Sequence, residues 1–192
     1  GTVGIGFNAL GGLTGGQHNM AIGYQAGMTL SGEHYNVFVG YEAGKLNNGS
    51  YNVVMGHQAF DGVTSGASDN IAIGLDAMGG AIGAEIVDDC VAIGSLALSG
   101  ALDSTNGVDE ASGTVAIGKS TLAALTTGSG NTAIGYQSGK AMTESEDNTL
   151  IGYNVFPLAN PADTYGENTM VGSEVYDLGT NAGIVQNTFV GF

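Results

Sequence analysis

Asn131-Thr132-Ala133-Ile134-Gly135-Tyr136-Gln137 occurs twice more with little change, as Asn19-Met20-Ala21-Ile22-Gly23-Tyr24-Gln25 and as Asn36-Val37-Phe38-Val39-Gly40-Tyr41-Glu42. With the glycine of each copy as anchor, the pattern extends to Gly6, Gly23, Gly40, Gly56, Gly74, Gly94, Gly118, Gly135, Gly152, Gly172 and Gly191, eleven copies in 192 residues. The intervals run from 16 to 24 residues and leave no part of the chain outside the pattern. Isoleucine, valine or methionine precedes every anchor, and the residue before that is apolar or, at Gly4, glycine. Four residues before the anchor stands asparagine in eight copies: Asn19, Asn36, Asn52, Asn70, Asn131, Asn148, Asn168 and Asn187. Thr2, Cys90 and Thr114 take that place in the others.

A short apolar run ending in glycine, rich in β-branched residues, reads as a strand and is too short for a helix. Its residues are apolar on both faces, so cover is expected on both sides. A unit of about 17 residues has room for two short strands and two turns, and a repeat of this length is most economically a solenoid. The expected fold is therefore all-β, a parallel β-solenoid or β-roll of about eleven coils, with successive coils ~4.8 Å apart. One repeat domain spans residues 1–192. A second apolar position follows six to eight residues after the anchor, as at Leu13, Leu30, Leu125 and Met142. The recurrent glycine fits a corner or a close approach of two backbones, and the recurrent asparagine fits a ladder of side-chain amides along the axis. The isoleucine, valine or methionine before each anchor is expected to stack into one buried ladder. Extra residues in 79–89 and 99–113 should loop outward.

Composition narrows the function. The chain has 35 glycines, 43% hydrophobic residues, two prolines, no tryptophan, and three basic residues against eighteen acids, for a net charge of -15. Lys45, Lys119 and Lys140 cannot form the basic stripe that nucleic acid requires, and an anionic membrane would repel the chain. No apolar run reaches the 18 or so residues of a membrane-spanning helix.

Several motifs were weighed against the repeat. Gly113-Thr114-Val115-Ala116-Ile117-Gly118-Lys119-Ser120 satisfies the P-loop pattern, but its middle is the strand of the repeat and no helix is expected after it. His18, His34 and His57 occupy different places in their units and show no zinc spacing. Asn48-Gly49-Ser50 is a glycosylation sequon. The acids of the two long loops, Asp88, Asp89, Asp103, Asp109 and Glu110 among them, are candidates for surface recognition, and calcium is the one cofactor they would suit. Neither an EF-hand nor a calcium β-roll nonapeptide is present. Aromatic residues follow the anchor at Phe7, Tyr24, Tyr41, Tyr136, Tyr153 and Phe192, forming a stripe for a subunit interface or for sugar. An ice-binding face would need a regular threonine row, and Thr14, Thr29, Thr64 and Thr126 are irregular. No catalytic constellation can be assembled from the sequence, and the chain reads as a non-enzyme.

The units 131–139 and 19–27 resemble repeats of bacteriophage tail-fibre proteins, and Val-Ala-Ile-Gly at 91–94 and 115–118 is similar to the head repeats of trimeric autotransporter adhesins. The resemblance implies a homotrimeric fibre, located on a virion or cell-surface appendage, that contacts a host surface glycan or protein and joins other fibre or tail proteins at its ends. The residues give a separate argument for self-association: one coil has a single interior, so the other apolar face of the strand needs cover from another copy. The chain begins five residues before Gly6 and stops one after Gly191, so head-to-tail joining would leave seven residues between anchors where the minimum elsewhere is 16. The expectation is a shaft continued beyond both ends.

Overall fold

The computed structural model describes residues 1–62, 66–80, 87–100, 111–156, 165–175 and 186–191. It is a parallel β-solenoid, without helix among the described residues. The strands are β1 (Val3–Ile5), β2 (Met20–Ile22), β3 (Val37–Val39), β4 (Val53–Met55), β5 (Ile71–Ile73), β6 (Val91–Ile93), β7 (Val115–Ile117), β8 (Thr132–Ile134), β9 (Ser145–Glu146), β10 (Thr149–Ile151), β11 (Tyr165–Gly166), β12 (Thr169–Gly172) and β13 (Thr188–Gly191). Eleven of them form one sheet in the order β1-β2-β3-β4-β5-β6-β7-β8-β10-β12-β13, every neighbouring pair parallel. The register matches like positions: Ala21 pairs with Phe38, and Ala92 with Ala116. Eleven strands are joined by ten windings, so the number of turns is slightly below the eleven coils read from the sequence.

The second strand expected in each coil is mostly absent. Among the described residues it is reduced to the pair β9–β11 and a bridge between Thr127 and Glu144. The reason lies in the corner. The second and fourth residues after the anchor both take left-handed conformations, as at Gln25 (φ 53) and Gly27 (φ 57) or Leu96 (φ 58) and Leu98 (φ 50). Two such residues in close succession turn the chain tightly and leave little extended backbone. The cost is offset because each backbone N–H here still finds a carbonyl on an adjacent coil, as Gln25 N–H does on Phe7 (2.8 Å).

The middle residue of each strand points inward. Ala21, Phe38, Val54, Ala72, Ala92 and Leu150 are buried, and so are Leu10, Phe60, Met78, Leu98 and Leu122 from the fourth position after the anchor. Leu30, Leu125 and Met142 close the core from the second apolar position, while Val63, Ile82, Leu102, Leu158 and Leu178 lie outside the described residues. The anchors stack backbone on backbone. Gly23 has φ 141, and a Cβ placed on it would lie 2.6 Å from the carbonyl carbon of Gly40. No side chain fits that gap, which accounts for the recurrence of glycine.

Candidate interaction surface

From β2 to β12 the centres of the main-sheet strands are buried, whereas the residues flanking them are half-buried or exposed. The residues flanking each buried strand centre form two columns along the rod. The column just before the anchors is Ile, Val or Met throughout, with Ile5 58%, Met55 42% and Ile151 38% exposed. Against the expectation of a buried ladder it faces outward, because alternation along the strand turns it away from the inward strand centre. The column two residues earlier is aliphatic from Val3 through Met20, Val37, Val53, Ile71 and Val91 to Val115, then changes to Thr132, Thr149, Thr169 and Thr188. Neither column contains a charged residue. The strand that reads as apolar on two faces is thus covered on only one within this chain.

The threonine row is regular. Thr14, Thr29, Thr64 and Thr126 do not belong to it, because position in the coil, not threonine spacing alone, carries the signal. Register through Thr132, Thr149, Thr169 and Thr188 places successive hydroxyls one strand apart, ~4.8 Å.

Two margins border this face. The residue after the anchor forms one: Phe7, Tyr24, Tyr41, His57, Leu75, Ser95, Lys119, Tyr136, Tyr153 and Ser173. Its rings stack, with centroids 5.4 Å apart for Phe7–Tyr24, 5.2 Å for Tyr24–Tyr41, 5.0 Å for Tyr41–His57 and 5.4 Å for Tyr136–Tyr153. The fifth residue before the anchor forms the other margin. There His18 stacks on Tyr35 (4.9 Å) and Tyr35 on Tyr51 (5.2 Å). Asp69, Asp89, Gly113, Gly130, Asp147, Glu167 and Gln186 continue it. Stacking on neighbours occupies ring faces, so both ribbons present mainly edges to solvent.

A buried amide ladder lies behind the second margin. The Asn19 side-chain oxygen accepts from Asn36 backbone N–H (2.9 Å) and Nδ2 (3.2 Å), and Asn36 accepts in the same way from Asn52. Each Nδ2 also donates to a main-chain carbonyl, as Asn52 does to Ala67 (2.9 Å). The ladder continues to Asn70, which accepts from Cys90 N–H (3.0 Å), and the Cys90 thiol donates to the Ala111 carbonyl (3.0 Å). At Thr114 it breaks: the hydroxyl is buried with no hydrogen-bond partner among the described residues. It resumes at Asn131 and runs through Asn148 and Asn168 to Asn187.

A second ladder, six residues before the anchor, runs beside the first as far as the coil of Thr114. Gln17 N–H donates to His34 Nδ1 (3.0 Å), His34 N–H to Ser50 Oγ (3.0 Å), and Ser50 N–H to Ser68 Oγ (3.1 Å). Ser68 N–H then donates to the Asp88 carboxylate (2.7 Å), and Asp88 N–H to Ser112 Oγ (3.1 Å). Asp88, a candidate recognition acid, therefore has its carboxylate engaged in joining coils. Asp89 is exposed on the margin, and Asp103, Asp109 and Glu110 lie outside the described residues.

The P-loop-like stretch supplies β7 and an anchor stacked on Gly135, with Lys119 exposed, and turns rather than a helix follow it. Among the described residues no group of three His, Cys, Asp or Glu is placed to hold a metal ion. Burial pushes the Cys90 thiol up to about 12. Burial, helped by Asp76, raises the Asp61 carboxyl. The ion pair of Glu42 with Lys45 (2.8 Å) lowers the one and raises the other.

No protein-family model, curated protein or solved structure matches the chain. The surface must therefore be read from its own chemistry.

Proposed function

We propose that this chain is a structural and adhesive rod segment, the shaft or receptor-binding part of a phage tail fibre or related extracellular appendage, assembled as a homotrimer. One observation carries the reading. A rod with a packed interior still leaves its outward sheet face free of charge and apolar but for four threonines, in a chain of net charge -15. An exposed apolar face of that length marks an interface. A fibre built around an axis covers it on every coil, and the acids that remain outside keep the fibre soluble. Stacked coils with hydrogen-bonded ladders suit a mechanical element. The sugar-binding alternative is weaker because stacking occupies ring faces that a glycan would need.

The deciding measurement is mass in solution. Three copies of the 19.1 kDa chain are expected in one particle. A soluble monomer overturns the proposal. Electron microscopy of the source particle, looking for a fibre that carries this chain, tests its place on a virion or appendage.

The threonine row supports a second reading, in which the charge-free face binds an ordered surface such as ice. Thermal hysteresis by the intact chain, abolished by Thr149→Lys, would favour it over the fibre.

A further inference from the structure

We infer that three stacked tyrosine pairs, Tyr24 with Tyr41, Tyr35 with Tyr51 and Tyr136 with Tyr153, are sites of oxidative dityrosine formation. Each bond would tie two adjacent coils together. This goes beyond the proposed fibre and does not depend on self-association, because both rings of a pair belong to one chain.

The pairing itself is the first observation. Tyr24, Tyr35, Tyr41, Tyr51, Tyr136 and Tyr153 are all exposed, and each stacks on another of the six. Ring centroids lie 5.2 Å, 5.2 Å and 5.4 Å apart, with planes only 9°, 9° and 10° from parallel. The strands beside each pair hold the same register, so like atoms of the two rings lie one coil apart. Ring edges stay open to solvent, where an oxidant can reach them.

The second observation is the lack of competing phenols. Phe7 stacks on Tyr24 and His57 on Tyr41, while His18 and His34 flank Tyr35. None of these rings carries a phenol. A radical formed on Tyr24, Tyr41 or Tyr35 therefore has one phenol in ring contact.

The rest of the chain offers little else to a one-electron oxidant. It has no tryptophan, and Cys90 is buried. Exposed Met20 and Met55 react instead with two-electron oxidants, which add oxygen to sulfur.

The reaction takes a one-electron oxidant of the haem-peroxidase class, with peroxide as terminal acceptor. Each phenol gives up one electron and one proton, leaving two tyrosyl radicals. A carbon–carbon bond forms between carbons ortho to the two oxygens. The hydrogens on those carbons then shift to the oxygens and restore both phenols. One peroxide takes up the two electrons and two protons and becomes two waters. Contact within a pair makes the coupling a unimolecular step.

Photoexcited ruthenium tris-bipyridyl with persulfate supplies the same one-electron oxidation to the intact chain in dilute solution. Lys45, Lys119 and Lys140 are the only trypsin sites, so later digestion gives 1–45, 46–119, 120–140 and 141–192. Tyr51 is the one tyrosine of 46–119, and Tyr136 is the one tyrosine of 120–140. Mass spectrometry should find 1–45 joined to 46–119, and 120–140 joined to 141–192, each product lighter by two hydrogens. Peptide 1–45 should also lose two hydrogens through Tyr24 and Tyr41. Chain unfolded in denaturant should give about tenfold less of each product, because the stack is gone. Tyr35→Phe should abolish the first joined product and Tyr153→Phe the second, since phenylalanine keeps the ring and removes the phenol. Equal yields from folded and unfolded chain, persistence of either product in its variant, or no cross-link would overturn the inference. So would products mainly heavier than one 19.1 kDa chain. A wild-type monomer by mass overturns the fibre and leaves the cross-links standing.

Discussion

Phe38 fills the space that Gly44 leaves empty. A Cβ added to Gly44 would lie 2.7 Å from Cε1 of the Phe38 ring, and one added to Gly27 would lie 2.6 Å from Cδ2 of the same ring. At Ala92 and Ala116 the fourth position after the anchor is large, Leu98 and Leu122. At Ala21 and Ala133 it is Gly27 and Gly139, and side chains of the neighbouring coils fill the space. Bulk is thus shared between two facing inward columns, as in any interior filled to crystal-like density.

This complementarity predicts a rescue. Phe38→Ala alone should cost about 3–5 kcal/mol through the cavity it opens. Gly44→Leu alone should also destabilise, because the ring blocks it. The double variant should recover much of the loss, since Leu98 shows that leucine tolerates the left-handed corner (φ 50). Denaturant unfolding of the four proteins measures the coupling; strict additivity would contradict it.

The amide ladder predicts opposite effects at two of its positions. Asn52→Ala should cost about 1–3 kcal/mol by stranding the Asn70 N–H in the interior. Thr114→Asn should stabilise by about 1 kcal/mol, because it replaces an orphaned hydroxyl with the group the ladder uses elsewhere. Thermal unfolding should show Tm falling for the first and rising by about 2–4 °C for the second.

Asp61 predicts a pH dependence. Its carboxyl is raised by burial and by Asp76, so the ionised form is the disfavoured one in the folded state. The penalty is absent below the ordinary value of 3.8, grows as pH rises through the raised value, and is full at neutrality. Asp61→Asn should therefore raise Tm at pH 7 and leave it unchanged below that ordinary value. Equal effects at both pH values would show that charge is not the cause.

Cys90 should behave as an internal reporter. Its thiol is buried and pushed up to about 12, so almost no thiolate is present at neutral pH. A thiol reagent should label the native chain no faster than the chain opens. Labelling should become fast across the same denaturant range in which circular dichroism is lost. Fast labelling of the native state would refute the burial.

Much of the fold was legible because a repeat stacks like on like. Any residue placed once is placed eleven times, so the asparagine and anchor glycine could be read as columns before their partners were known. The second strand was not legible. Left-handed corners at Gln25, Leu96 and Leu98 leave no compositional trace, since leucine and glutamine seldom adopt them and do so here only where adjacent coils hold their N–H groups. The role of Asp88 was hidden for a related reason. The Ser68 N–H that donates to its carboxylate lies a whole coil away, and local sequence cannot bring the two together.

The sequence by itself determined the period, the strand, the stacking of like positions in columns and the absence of charge on both faces of the strand, because alternation along a strand and repetition along a rod are one-dimensional properties. It did not determine which column faces inward, and the column before the anchors, expected to be buried, faces outward. Only the tertiary structure decided which of those columns stays uncovered, how bulk is traded between Phe38 and Gly44, and where the amide ladder fails at Thr114. It also decided that threonine forms a regular row only on the sheet and that the two margins differ in charge. Those outcomes depend on which residues from separate coils share one surface, and that is set by the winding of the chain.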